Sequence, residues 1–208
     1  MKALSWSPSV TRIAGSNRFA TAALVADAVK AKLGTVTKIV VANGMTYPDA
    51  LAVAPLAAAK GWPILLTTKT VLPPQTADAV VRLGATSTLV VGSTAGVSAA
   101  VALRLPNVVR TGGADRYATC GLIADYAASH GMSYAYLGTT VGNNFPDALA
   151  AGPLFASRKG ILMLTPPTSV APPVASRMST NKATVDNLIV IGGAVLQSTV
   201  NSMSGMLN

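Results

Sequence analysis

The stretch Thr37-Lys38-Ile39-Val40-Val41-Ala42 runs into Asn43-Gly44-Met45-Thr46-Tyr47 and then Pro48-Asp49-Ala50-Leu51-Ala52. Its first part is an unbroken β-branched run, the pattern of a strand covered on both faces. The middle is a polar, glycine-bearing loop. Pro48 then stands where a helix begins and its missing N–H costs nothing, and Asp49 follows where a carboxylate suits the helix dipole. The stretch therefore reads as strand, loop, helix.

Working outward, Arg18 to Leu33 predicts a helix stopped at Gly34, preceded by a short strand over Val10 to Ile13. The helix from Pro48 runs to Lys60. Pro63 to Thr67 reads as a strand, Pro74 to Leu83 as a helix, Ser87 to Val91 as a strand and Ala95 to Leu103 as a helix. Such alternation predicts parallel βαβ units with helices on both faces.

The same order then repeats. Arg12-Ile13-Ala14-Gly15-Ser16-Asn17-Arg18-Phe19-Ala20-Thr21 answers to Arg110-Thr111-Gly112-Gly113-Ala114-Asp115-Arg116-Tyr117-Ala118-Thr119, 98 residues on. Eight of the sixteen residues from 12 to 27 are identical to their partners, which marks a tandem duplication rather than chance similarity. Tyr47-Pro48-Asp49-Ala50-Leu51-Ala52 answers to Phe145-Pro146-Asp147-Ala148-Leu149-Ala150 at the same offset. The expected architecture is α/β, two tandem Rossmann-like units with mostly parallel sheets flanked by helices. We expect a first unit over 1–106 and a second over 107–208. The strand leading into Arg110 can belong to either, and a last helix is expected over Leu196 to Leu207.

Composition narrows the chemistry. The 208 residues are 50% hydrophobic and 11% charged, with a mean hydropathy of +0.48, so a packed core is expected and disorder is excluded. Sixteen Lys and Arg against seven acids give +9, which favours anionic partners. All seven acids are Asp. With no Glu, one His (His130) and one Cys (Cys120), the usual acid–base pairs, Cys–His dyads and zinc clusters cannot be built within the chain. No cofactor is expected, because no G-x-G-x-x-G or phosphate-cradling loop follows a strand. Scattered lysines and few aromatics disfavour nucleic acid. The longest apolar run, Ala50 to Ala59, is too short to insert into a membrane, and Met1 to Pro8 shows no signal peptide.

In open α/β sheets ligands bind beyond the carboxyl ends of the strands. Those ends carry Asn43, Thr46, Thr67, Thr68 and Lys69 in the first copy, and Asn143, Asn144 and Thr165 in the second. Hydroxyls, amides and cations suit a hydroxylated or phosphorylated ligand. Arg18 and Arg116 open equivalent helices, and two readings remain: a bidentate fork for a phosphate or carboxylate, or a structural pair with Asp49 and Asp147 that ties the loops of each unit. His130 reads as a helix C-terminal residue.

Together, residues 12–22, 47–52, Pro63-Ile64-Leu65-Leu66-Thr67 and the strand ending Val90-Val91-Gly92 resemble the cell-wall-binding repeat family of the second type, found on Gram-positive surface proteins and beside wall hydrolases. The resemblance implies Rossmann-like repeats, usually three around a pseudo-threefold axis, that hold a protein non-covalently on the wall through an anionic glycopolymer, without catalysis. It implies an extracellular location. It also places polymer binding on Ile64, Leu65 and Leu66. The matching positions of the second copy are Leu162, Met163 and Leu164, with Ile161 in place of proline. Only two repeats are present, so homo-oligomerisation to replace a missing third is expected to be open. A self-assembling surface scaffold and an accessory targeting module of a wall hydrolase are the alternatives.

Overall fold

The computed structural model describes residues 9–143 and 146–208. Its first sheet contains β1 (Lys38–Asn43), β2 (Ile64–Thr67), β3 (Ser87–Val91) and β4 (Val108–Thr111), all parallel, in the order β2-β1-β3-β4. The second contains β5 (Ser133–Val141), β6 (Gly160–Thr165) and β7 (Asn187–Ile191), also parallel, in the order β6-β5-β7. The strand leading into Arg110 thus completes the sheet of the first unit although its sequence opens the second.

Helices α1 (Arg18–Leu33), α3 (Pro74–Leu83) and the short α4 (Ala99–Ala102) share an apolar cluster with one face of the first sheet, through Ala26, Ile39, Val41, Leu83 and Val90. Val40, Ala42, Leu89 and Val91 point the other way, as the two-residue period of a strand requires, and pack with α2 (Pro48–Lys60). That second cluster does not stop at the unit boundary. It continues through Leu51 and Leu56 of α2 into Ile123 and Ala124 of α5 (Arg116–Ser129) and on to Met163, Val174, Met178 and Met203. The rest of the second unit is α6 (Pro146–Ser157), α7 (Pro172–Asn181) and α8 (Gln197–Leu207). Beneath α6 lies a small separate cluster of Ala151, Phe155 and Leu162.

A polar clasp closes the seam elsewhere. Lys38 of β1 donates to the Tyr126 hydroxyl at 3.2 Å and lies 4.7 Å over the Trp62 ring, while Tyr126 stacks on His130 at 4.0 Å. His130 caps the carboxyl end of α5, as its position predicts.

Two expected elements need correction. Val10 to Ile13 forms no strand, because no described edge lies beside it, and Val10 is 91% exposed. The helix expected from Ala95 is confined to Ala99–Ala102. Ser98 is its N-cap, accepting from Val101 N–H, and its own N–H is held by the Lys69 carbonyl, which fixes 95–98 as a loop.

A candidate binding cleft between the repeats

The N-terminal motif of each repeat is a self-bonded turn. Gly15 and Gly113 donate their N–H to the hydroxyls of Thr21 and Thr119, each at 3.0 Å. Asn17 and Asp115 cap the helices that follow, accepting from Ala20 N–H in the first and from Tyr117 and Ala118 N–H in the second. A Cβ on Gly15 or Gly113 would run into the helix backbone, so only glycine allows the turn to lie this close. These turns present Arg18 and Arg116 on the exposed first turn of α1 and α5.

Neither arginine pairs with the aspartate of its own repeat. Arg18 donates to the Gly44 carbonyl at 2.6 Å and Arg116 donates to the Gly142 carbonyl, so each ties its helix to the loop after β1 or β5 through backbone. The expected Arg–Asp tie is therefore corrected in its partner. Among the described residues the ion pairs are Asp27–Arg82 at 2.8 Å, joining α1 to α3, and Asp125–Arg177 at 2.5 Å, joining α5 to α7.

Asp49 and Asp147 sit instead against the glycines that end the third strand of each repeat. The Asp49 carboxylate fills the space a Cβ on Gly92 would take, and Asp147 does the same at Gly192. Both glycines have positive φ, +104° and +91°, which side chains rarely adopt. Burial raises the pKa of Asp49 above the ordinary carboxylate value, and the positive charge of Arg116, arriving from the second repeat, offsets part of that rise.

Arg116 and Asp49 meet at an open cleft of about 160 Å³ that straddles the repeats. The first repeat contributes Thr46, Pro48, Asp49, Ser93 and Gly96, and the second contributes the turn Gly113-Ala114-Asp115 with Arg116 and Thr119. It lies beyond the carboxyl ends of β1, β3 and β4, where the topology predicts a ligand crevice. Asp115 spends one carboxylate oxygen on its helix, whereas Arg116 has guanidinium donors beyond the one held by Gly142. The walls thus offer hydroxyls, two carboxyls and one cation, a set suited to a hydroxylated chain whose acidic group meets Arg116.

Of the expected binding residues, Thr46 and Arg116 come together here. Asn43 is turned to loop building: its amide donates to the Gly96 carbonyl at 2.8 Å and its oxygen accepts from Met45 N–H. Thr67 and Thr165 are fully buried, with hydroxyls donated to the carbonyls of Val71 and Ser169. Thr68 also bonds to Val71, and Lys69 is exposed on the same loop. Leu65 lies in the core, flanked by half-buried Ile64 and Leu66. The Asn143 carbonyl accepts from the Tyr47 hydroxyl of the other repeat at 2.8 Å, and Asn144 lies outside the described residues. Sequence reasoning missed Asp115, Thr119 and the Asp–Gly contact. Their signal was the fixed spacing of Asn17 and Thr21 against Asp115 and Thr119.

Cys120 is fully buried in α5, where burial pushes its thiol up to about 12, so it is no nucleophile in the folded chain. With the geometry in place, the model of the family described as Cell wall binding domain 2 (CWB2) matches residues 12–102 and 110–200. This chain belongs to the CWB2 family. It is 36% identical over 191 residues to N-acetylmuramoyl-L-alanine amidase LytC of Bacillus subtilis (strain 168), a match spanning 92% of this chain and 37% of the amidase. It is 31% identical over 179 residues to the amidase enhancer of the same organism, spanning 85% of this chain and 23% of that protein. The chain therefore covers well under half the length of these curated relatives. Two solved structures share the fold: Cwp6 from Clostridium difficile, with a TM-score of 0.82, 23% identity and coverage of 99% of this chain and 34% of that one, and Cwp8, with a TM-score of 0.81, 22% identity and coverage of 96% and 34%. The two CWB2 repeats make this chain a cell-wall-binding module.

Proposed function

We propose that the CWB2 pair is a non-catalytic anchor that holds its protein at the outside of a Gram-positive wall by gripping an anionic glycopolymer in the cleft between the repeats. The observation that carries this reading is the convergence of Arg116, Thr46, Ser93 and Asp49 from two repeats on one solvent-open cleft. Arg116 faces the acidic group of the polymer, and the hydroxyls and the Asp49 carboxyl face its sugar hydroxyls. Lys69, on an exposed loop, and Arg18, on the exposed first turn of α1, add positive charge at the same ends of the strands. Among the described residues, no helix is long and apolar enough to cross a membrane. Asn43 acts by holding Gly96 in the cleft wall and Asn143 by accepting from Tyr47 of the other repeat, whereas Thr67, Thr68 and Thr165 hold the loops after β2 and β6.

Purified walls provide the test. Binding is expected to weaken steeply as salt rises, and Arg116→Ala is expected to lower affinity about tenfold, the loss of one charge-assisted contact, with the circular dichroism spectrum unchanged. Walls stripped of anionic polymer that bind the chain as well as intact walls would overturn the reading. The likeness to part of an amidase supports a second placement of the same activity, as the targeting part of a wall enzyme.

A further inference from the structure

Asp49 and Arg116 enter the cleft from different repeats and line it together without pairing. Among the described residues Asp49 forms no hydrogen bond and no ion pair, and its carboxylate occupies the place of the Cβ that Gly92 lacks. A half-buried carboxylate without donors is held in a balance. Lost hydration favours the neutral acid, and the Arg116 charge across the seam favours the ionised one. Arg116 has one donor on the Gly142 carbonyl and no other acceptor among the described residues, so it is free to turn its charge to a ligand.

The other charged and titratable groups around Asp49 are engaged elsewhere. On α5, Asp115 spends Oδ1 on the N–H groups of Tyr117 and Ala118, and the Cys120 thiol is fully buried. From β4, Arg110 donates to the Gly92 carbonyl at 2.8 Å. The loop after β1 brings the Thr46 hydroxyl and holds Arg18 on its Gly44 carbonyl, and Tyr47 donates to Asn143. The loop after β3 brings Ser93 and Gly96, which carry no charge. On α2 itself the next titratable group is Lys60, at the far end of the helix. In α6, which packs on α2, Asp147 stands against Gly192. Arg116 is therefore the group whose change of partner Asp49 feels.

On the reading that an acidic polymer fills this cleft, we propose that the polymer is bound together with a proton: Arg116 turns its charge to the acidic group, and Asp49 takes up a proton from solvent. Three changes on binding push Asp49 the same way. The guanidinium that favoured its ionised form now faces another anion, the ligand brings a negative charge of its own, and the ligand displaces water from the cleft. The neutral acid is also the better partner for a sugar. It donates through its O–H and accepts through its other oxygen, whereas the ionised group only accepts. Binding is then linked to pH, strengthening as pH falls until Asp49 is already protonated in the free chain, and the proton returns to solvent when the polymer leaves.

Binding of the parent chain and of Asp49→Asn to one batch of purified walls, from about pH 4 to about pH 8, tests this. The acids of the wall titrate over that range too, so the quantity to read is the ratio of variant to parent affinity at each pH, in which the titration of the wall cancels. Asn keeps the shape and the neutrality of the protonated acid. The ratio is expected to be lowest at the acidic end, to rise by up to about tenfold per pH unit above the titration of Asp49 in the free chain, and to level off where the parent binds without the proton. Asp49→Ala is expected to bind more weakly than Asp49→Asn by a constant factor, so its ratio to the parent has the same shape against pH and carries the test should the Asn variant misfold. Circular dichroism at each pH confirms folding. A ratio that does not change with pH, or an Asp49→Asn chain that binds more weakly than the parent at neutral pH, would overturn the proposal, and a weakened Arg116→Ala would then leave the polymer reading standing. Walls stripped of anionic polymer that bind the chain as well as intact walls would overturn that reading and the proposal with it.

Discussion

At the scale of single residues, Asp49 is the cleft group whose ionisation the fold opposes. Its pKa in the folded chain lies above its unfolded value, so in the interval between them the folded state binds more protons. The stability that the neutral acid contributes is present below the unfolded pKa and is lost as pH rises through the folded one. Asp49→Asn keeps the shape against Gly92 without the charge. Its melting temperature is therefore expected to exceed that of the parent at neutral pH, with the difference vanishing well below the model-compound value of 3.8. A variant less stable than the parent at neutral pH would show that attraction to Arg116 outweighs desolvation. The pairing of Asp49 was not legible in the sequence, since duplication says that two positions matter together but not what each touches. Arg18 and Arg116 show the same limit. A guanidinium beside a conveniently spaced carboxylate suggests an ion pair, yet a backbone carbonyl carries no mark in the sequence and is what both arginines take.

At the scale of elements, the strand-to-loop turn at Gly92 holds the cleft open on the side of the first repeat. With φ at +104° and the Asp49 carboxylate in the place of a side chain, Gly92→Ala is expected to cost about 1–3 kcal/mol. Denaturant titration measures it, and an unchanged midpoint would mean that the turn relaxes freely. Helices that begin at proline and end at glycine were the most readable elements: α2 runs from Pro48 to the left-handed Gly61, and α3 from Pro74 to the left-handed Gly84. Val10 to Ile13 was misread for a physical reason. A strand is a relation between two segments, and local β propensity cannot report whether an edge is available. The segment before Arg110 has the same pattern and is a strand because β3 lies beside it.

At the scale of the whole molecule, one apolar cluster runs from β1 and α2 through α5 to Met203, and the Lys38 clasp crosses the same seam. Two repeats that share a core cannot unfold independently. Calorimetry is expected to give one transition, and Leu56→Ala in the first repeat, costing about 2–5 kcal/mol, is expected to lower the midpoint for probes in both. Two resolved transitions would show that the seam is only a contact. Duplication made the two units legible, but the merging of their cores was not, because repeats that share a core and repeats that merely follow one another have the same periodicity. The borrowed strand β4 also sets a timetable. A polypeptide emerging from the ribosome or a membrane pore appears N-terminus first, and the first sheet stays one strand short until residues 108–111 are out. The first repeat then waits for the opening of the second before it can close, so an arrest within that interval leaves a bare sheet edge for chaperones or proteases to find.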